Sequence, residues 1–405
     1  MEAVAASLEE LCSSLSREPD FDAPELQAFD TADLLILTTA AARIRSSAPG
    51  SVAIIGDRHG ALTLGAAGVL GASGLRTYQD PVLAERALAR NADSLGLSDS
   101  YANTTLGPEL LSGAETVILQ LPRGLEALEE IAWKIARFAD PGVRIFAGGR
   151  VKHMTLAQNE ILSRYFGDVS AGLGWRKSRV IQAGDPRPTL ASSEPPFPKW
   201  GNDRELSFGV AAFGATFGGT KLDHGSRLLL RTLDADWAGD HTHPAKVGGT
   251  QTGHAARAAA APEHVLDLGC GSGVLAVSAA LALPTATVVA SDQSDAAVRS
   301  TALTAEAAGV ASRLVIHRAD GAEAVSDAWA DLVLLNPPFH TGATVHAGVG
   351  HRLIRDCARI LRPGGELRMV FNSHLGYRPL LEHVIGPVRQ LARDATFTVL
   401  AATRR

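Results

Sequence analysis

The sequence predicts an α/β protein made of two tandem units, each a largely parallel sheet covered by helices. Short apolar runs alternate with longer Ala- and Leu-rich stretches along the whole chain, the pattern of strands joined by crossover helices. The 405 residues are 46% hydrophobic and 20% charged, which is ample material for two or three cores of ordinary domain size and excludes disorder as the dominant state. The same rhythm recurs in both halves. SVAIIGDRHGALTL in the first corresponds to HVLDLGCGSGVLAV in the second, and ETVILQLPRGLEAL corresponds to ADLVLLNPPFHTGA.

Taken in order, apolar runs of strand length fall at Ser51–Ile55, Thr116–Leu119 and Val143–Phe146, with helices expected at Pro81–Ala89 and Glu126–Phe138. Later strands are expected at Val265–Leu268, Thr287–Ala290, Arg313–His317, Leu332–Leu335, Glu366–Phe371 and Phe397–Ala401. Helices fill Val274–Ala282, Ala296–Ala308 and His351–Ile360 between them. The proline-dense stretch Gly184–Trp200 blocks both helix continuation and sheet pairing, and sets the boundary. The expected division is residues 1–190, a linker over 191–205, and 206–405. A second irregular stretch, Asp234–Pro262, holds His241, His243 and His254 without Cys or carboxylate partners at ligand spacing. Loop histidines are therefore expected, and no metal.

Net charge is −5, but residues 1–33 hold nine acids against the single base Arg17. The remainder is balanced or mildly basic, so a nucleic-acid partner is not excluded. No apolar stretch is long enough for a membrane span, and Glu2, Glu9 and Glu10 do not suit a secretory signal. Cys12, Cys270 and Cys357 are too few and too irregularly spaced for a disulfide framework, so a reducing, cytoplasmic location is expected.

Two segments carry chemistry. Asp267-Leu-Gly269-Cys270-Gly271-Ser-Gly273 follows an apolar strand and precedes a helix. Its alternate glycines allow a sharp turn and close approach of a ligand to the backbone. The spacing is G-x-G-x-G rather than the dinucleotide fingerprint, and an acid ahead of it suits a positively charged amino group. Asp292, followed by Gln293, and Asp320, followed by Gly321, end the next two strands, where ligands of open α/β sheets bind. The second segment is Asn336-Pro337-Pro338-Phe339. Consecutive prolines hold the chain extended, so the Asn336 amide oxygen and the Pro337 carbonyl can accept both hydrogens of an exocyclic amine. Phe339 can stack on a base plane, a contact worth about 1–3 kcal/mol.

The glycine loop and the three strand-end acids resemble class I S-adenosylmethionine-dependent methyltransferases. NPPFHTG, then RILRPGGELRMVFNSHLGY and a last strand FTVLAA, is similar to the bacterial ribosomal RNA guanine-N2 methyltransferases. ELQAFDTADLLIL and the WRKSRVI segment (Trp175–Ile181) look more like the large-subunit branch than the small-subunit one. The resemblance covers residues 206–405 apart from the stretch before the glycine loop, and implies tandem Rossmann-like methyltransferase domains with a degenerate first copy. It implies S-adenosylmethionine held by Asp267, Gly269, Cys270, Gly271, Gly273, Asp292, Gln293, Asp320, Gly321 and Asn336, with ribosomal RNA as partner. Asn336, Pro337, Pro338 and Phe339 would form the catalytic segment, and His340 a wall of the substrate pocket. Arg176, Lys177 and Arg179, beside Trp175, are the expected RNA contacts. In the first half, Asp57 and His59 read as remnants, and Gln120-Leu121-Pro122-Arg123 replaces NPPF. The alternatives are methylation of a protein glutamine amide or of an adenine amine, a silent RNA-binding assembly factor, and a nicotinamide oxidoreductase. The last is opposed by the glycine spacing.

Overall fold

The computed structural model describes residues 2–20, 26–187, 194–237, 261–337 and 347–405. The chain forms two compact units, one of Met1–Lys199 with Ala212–Gly219 and Ser294–Ala296, the other of Trp200–Ala211, Thr220–Gln293 and Ala297–Arg405.

The first unit runs α1 (Glu2–Ser13), α2 (Thr31–Ser46), β1 (Val52–Ile55), α3 (Ala61–Gly68), β2 (Leu75–Tyr78), α4 (Val82–Ser94), β3 (Tyr101–Asn103) and α5 (Pro108–Leu111). It continues through β4 (Thr116–Gln120), α6 (Leu125–Phe138), β5 (Arg144–Arg150), α7 (Leu156–Tyr165), β6 (Phe166–Ala171) and β7 (Ser178–Pro186). Its strands are ordered β3-β2-β1-β4-β5-β7-β6, parallel except for β7, which runs antiparallel to both neighbours.

After the short pair β8 (Lys199–Gly201) and β9 (Val210–Ala212), the second sheet is built from α8 (His224–Trp237), β10 (His264–Leu268), α9 (Val274–Ala282), β11 (Thr287–Asp292), α10 (Asp295–Ala307) and β12 (Leu314–Arg318). The chain then adds β13 (Ala330–Leu335), α11 (Ala347–Ile360), β14 (Leu361–Asn372), α12 (Arg378–Val384), β15 (Val388–Arg393) and β16 (Phe397–Thr403). The order β12-β11-β10-β13-β14-β16-β15 repeats that of the first sheet position by position. Residues 234–237, expected as the start of an irregular stretch, instead continue α8. His241, His243 and His254 lie outside the described residues.

Each sheet is covered on both faces, which explains why its central strands read as mainly apolar runs rather than as alternating ones. In β10, Val265 belongs to one core, while Leu266 and Leu268 belong to the core on the opposite face. In β1, Ala53 and Ile55 face one core, and Val52 and Ile54 the other. Each fully buried aliphatic side chain contributes about 1.5–3 kcal/mol relative to exposure. No described helix is long and apolar enough to cross a membrane.

Candidate active site

The carboxyl ends of β12, β11, β10 and β13, adjacent and parallel, form one edge of the second sheet. Its register brings the sequence motifs together. Leu268 pairs with Ser291 on one side and with Leu335 on the other, so Gly269, Asp292 and Asn336 stand level one residue later, Asp292 as the last residue of its strand. Ligands of open α/β sheets bind at such an edge.

Gly269, Gly271 and Gly273 all have positive φ, at 82°, 54° and 82°. Two of these positions show why glycine is needed. A Cβ at Gly273 would lie 2.9 Å from the Thr301 backbone, whereas one at Gly269 would point into open space beside the loop, where a ligand can approach. The loop is tied to β11: the Gly269 amide donates to Ser291 O at 2.8 Å, and the Gly271 amide to Asp292 Oδ2 at 3.0 Å. Thr301 Oγ1 donates to the Gly271 carbonyl at 3.1 Å and lies 3.3 Å from Cys270 Sγ. Burial pushes the Cys270 thiol well above its ordinary range, so it stays neutral.

Asp267 is fully buried, and its Oδ2 accepts from the Ala276 amide at 2.9 Å in the first turn of α9. Its Oδ1 has no hydrogen-bond partner among the described residues. Burial pushes this carboxyl up to about 7; the Ala276 bond opposes the shift and the charge of Asp292 adds to it. A cation at the glycine loop therefore gains the charge-assisted bond that Oδ1 lacks. Asp292, at the end of β11, presents a half-buried carboxylate with Gln293 beside it. Asp320 is ion-paired to Arg352 at 2.6 Å, and its neighbour Gly321 has φ 55° and accepts from Ser291 Oγ through its carbonyl.

Asn336 is the most informative residue. Its Nδ2 donates to Ser226 Oγ at 3.0 Å and to Asp223 Oδ1 at 3.2 Å, both at the start of α8. Since a carboxylate only accepts, that contact fixes which end of the amide is which. Oδ1 is left buried without a partner among the described residues. Asp223 also receives the Ser226 amide at 3.0 Å, so one helix cap positions the amide. Asp223 and Ser226 were not singled out in the sequence, although Asp-x-x-Ser before an apolar periodic run is a readable helix start. Pro337 is buried; Pro338, Phe339 and His340 lie outside the described residues.

The first unit keeps this frame and loses its chemistry. Ile55 pairs with Tyr78 and Leu119, so the residues that follow are Gly56, Gln79 and Gln120, where the second unit has Gly269, Asp292 and Asn336. Counting along the strand puts Ile54 at the place of Asp267, Arg58 at that of Gly271 and Gly60 at that of Gly273. Gln120 Nε2 is tied to Asp33 Oδ1 at 3.1 Å. Asp57 caps α3 through the Gly60 and Thr63 amides, and His59 bonds Ala28 O and Asp20, so both are structural. Arg176 and Lys177 stand in the β6–β7 connection, and Arg179 is the second residue of β7. Arg176 stacks over Trp175 at 4.5 Å and pairs with Glu9, while Lys177 and Arg179 are exposed. The arginines of α11 mostly hold acids of their own unit: Arg352 holds Asp320, Arg359 holds Asp327, and Arg362, just beyond the helix, holds Asp331. His374 is bonded to Asn372 at 2.7 Å. No group of three or more His, Cys, Asp or Glu suited to a metal occurs among the described residues.

Two family models match the chain: an RLMG N-terminal domain over residues 4–187 and a methyltransferase small domain over residues 253–401. A ribosomal RNA large subunit methyltransferase G of Streptomyces avermitilis is 32% identical, with 97% of each chain covered. The proteins of that name from Streptomyces coelicolor and Pseudomonas syringae are 30% and 31% identical, each covering 96% of this chain and 97% of their own. Among solved structures, a T. thermophilus 16S rRNA N2 methyltransferase in complex with AdoMet and guanosine has a TM-score of 0.69 at 22% identity. That match covers 91% of this chain and 92% of the other, and shows the shared fold.

Proposed function

The chain belongs to the ribosomal RNA large subunit methyltransferase G family, and on that premise we propose that its second unit methylates the exocyclic N2 amine of a guanine in large-subunit ribosomal RNA. The observation that carries this reading is the buried Oδ1 of Asn336, without a partner among the described residues, at the carboxyl end of β13, one strand away from the glycine loop. An amine hydrogen is the partner this oxygen lacks. S-adenosylmethionine supplies an electrophilic methyl group on a sulfonium. Asp267, the 269–273 loop and Asp292 hold it, with Asp267 on its ammonium and Asp292 on its ribose hydroxyls.

Asn336 Oδ1 and the Pro337 carbonyl accept the two amine hydrogens and so fix the direction of the nitrogen lone pair. The protein's task is mainly orientation and exclusion of water. The group displaced is a neutral thioether, so no acid is needed for it, and the amine proton leaves to solvent after transfer. The target base has to leave its stack to reach the pocket. Phe339 then stacks on it and His340 borders it. The reaction belongs to the cytoplasm, with ribosomal RNA, free or in an assembling subunit, as partner.

Incubation with a methyl-labelled donor and large-subunit rRNA, followed by nucleoside analysis, tests the reading. Label is expected in N2-methylguanosine. Label in N6-methyladenosine, or in the glutamine of a protein substrate, would overturn it. A smaller effect tests the positioning of the amide. Ser226→Ala removes one of the two acceptors on Asn336 Nδ2, a loss of about 1 kcal/mol. The single-turnover rate is expected to fall about fivefold with donor affinity unchanged; an equal loss of donor affinity would mean that Ser226 shapes the donor pocket instead.

A further inference from the structure

Asn372 is the last residue of β14, and His374 lies in the turn that follows. Neither takes part in the steps above. Leu335 of β13 pairs with Met369 of the parallel strand β14, so Asn336 stands level with Val370 and Asn372 comes two residues later. That is about 7 Å further along the neighbouring strand, a step comparable to the width of a purine. Side chains alternate along a strand, so Asn372 shares the face of Val370, which packs in the core beneath α8. Asn336 reaches the same face, where its amide meets the start of α8. There His224, between Asp223 and Ser226 in sequence, stacks at 5.5 Å on Phe397, the residue directly opposite Asn372 on β16. One helix start therefore stands beside both asparagines.

The two amides are held opposite ways round. Asn336 commits Nδ2 and presents Oδ1. Asn372 commits Oδ1, which lies 2.7 Å from His374 Nδ1. An amide oxygen only accepts, so Nδ1 donates, and in the neutral imidazole Nε2 then carries the lone pair. Asn372 Nδ2 and His374 Nε2 have no partner among the described residues. Asn372 is half-buried and His374 exposed, so a ligand can reach both. The end of β13 thus offers an acceptor, and the end of β14 a second acceptor and a donor.

Guanine is the amine that matches this set. Along its Watson–Crick edge the N2 amine is followed by N1–H, a donor, and then by O6, an acceptor. In adenine the amine is followed by N1, which only accepts, and in a glutamine amide by the carbonyl oxygen. We infer that Asn372 and His374 select guanine: His374 Nε2 accepts from N1–H and Asn372 Nδ2 donates to O6, while Asn336 holds the amine. This assignment rests on the guanine-N2 reading above and names the groups that choose the base. A flipped-out base is read by hydrogen bonds to this edge. A base that leaves such groups unpaired is rejected more strongly than the bonds themselves attract the correct one.

The test uses the full chain and two large-subunit rRNA transcripts that differ only at the methylated position, guanine in one and 2-aminopurine in the other. 2-Aminopurine keeps the amine but has a bare N1 and no O6. Wild type is expected to prefer the guanine transcript on the order of 100-fold in kcat/KM, because a site built to hydrogen-bond a group rejects the analogue lacking it. Asn372→Ala/His374→Ala should lower that preference below about tenfold by slowing the guanine transcript alone. Its donor affinity should be unchanged, which also checks folding. Asn372→Asp keeps an acceptor for His374 Nδ1 and removes only the donor to O6, so it should also lose preference for guanine. His383→Ala, an exposed histidine of α12, should behave like wild type. A double variant with the wild-type preference, or a wild type that methylates both transcripts equally, would overturn the edge contacts and leave the guanine reading standing. An equal loss of rate on both transcripts would make the pair a structural support and refute base selection. Wild-type protein that forms no N2-methylguanosine in the guanine transcript would overturn the guanine reading itself.

Discussion

Asn336→Ala is expected to lower the rate of methyl transfer by about 10²–10³-fold, the range seen when one preorganised polar group is removed from a reacting centre, with donor affinity altered less than about threefold. The reason lies in how the amide is held. Nδ2 is committed to Asp223 and Ser226, so Oδ1 is fixed in direction before any substrate arrives, and it is buried, where a hydrogen bond is worth more than in water. Alanine removes that acceptor, leaves Asp223 Oδ1 with the Ser226 amide alone, and takes the Asn336 donor from the Ser226 hydroxyl. Single-turnover kinetics with separate donor titration distinguishes the two roles: a large loss of donor affinity with the chemical step intact would place Asn336 in donor binding instead.

Asp267→Asn is expected to move stability and binding in opposite directions. Burial raises the folded-state carboxyl to about 7, against about 3.9 in an unfolded chain. Between those values the folded state holds the extra proton, so this residue's contribution to stability is intact below pH about 4 and is lost as pH rises to and through 7. Asparagine keeps an oxygen for the Ala276 amide and carries no charge. The unliganded variant is therefore expected to melt higher than wild type at pH 8, with the difference closing toward pH 4. Donor binding goes the other way. Loss of a charge-assisted bond of about 1.5–3 kcal/mol weakens it about 10–100-fold at pH 8, and the wild type's fall in affinity below pH 7 disappears. Melting curves and calorimetric titrations at pH 6, 7 and 8 check both. A variant that melts lower and binds the donor normally would reduce Asp267 to a helix cap.

Sequence reading reached furthest where one strand or one short loop carries the information. β10 and β13 sit in the middle of a covered sheet, so they read as mainly apolar runs, and Gly269, Gly271 and Gly273 are required by the backbone itself. Edge strands left no such trace. β15 (Val388–Arg393) has half of its residues exposed and carries Arg389, Gln390 and Arg393, and β3 has only three residues, none of them buried. β2 is short and includes Arg76, whose guanidinium bonds the carbonyls of Gly50, Glu109 and Ser112. Within the site, the acids and the amide were legible from spacing. The groups that orient the amide were not, because Asp223 and Ser226 lie 113 and 110 residues from Asn336 and meet it only through the sheet. For the same reason Arg176 looked like an available cation, although Glu9, 167 residues away, occupies it. The duplication was visible as rhythm. What the first copy lost was already visible in Gln120-Leu121-Pro122-Arg123 at the place of NPPF, and register adds that Gln79 stands at the place of Asp292.

A crystal structure of the protein with S-adenosylhomocysteine and guanosine tests the central claim most directly. The account predicts the demethylated donor along the 269–273 loop of the second unit, and the guanine N2 within hydrogen-bond distance of Asn336 Oδ1 and turned toward the thioether sulfur. A donor seated on the first unit, or a guanine whose amine faces away from Asn336, would contradict it.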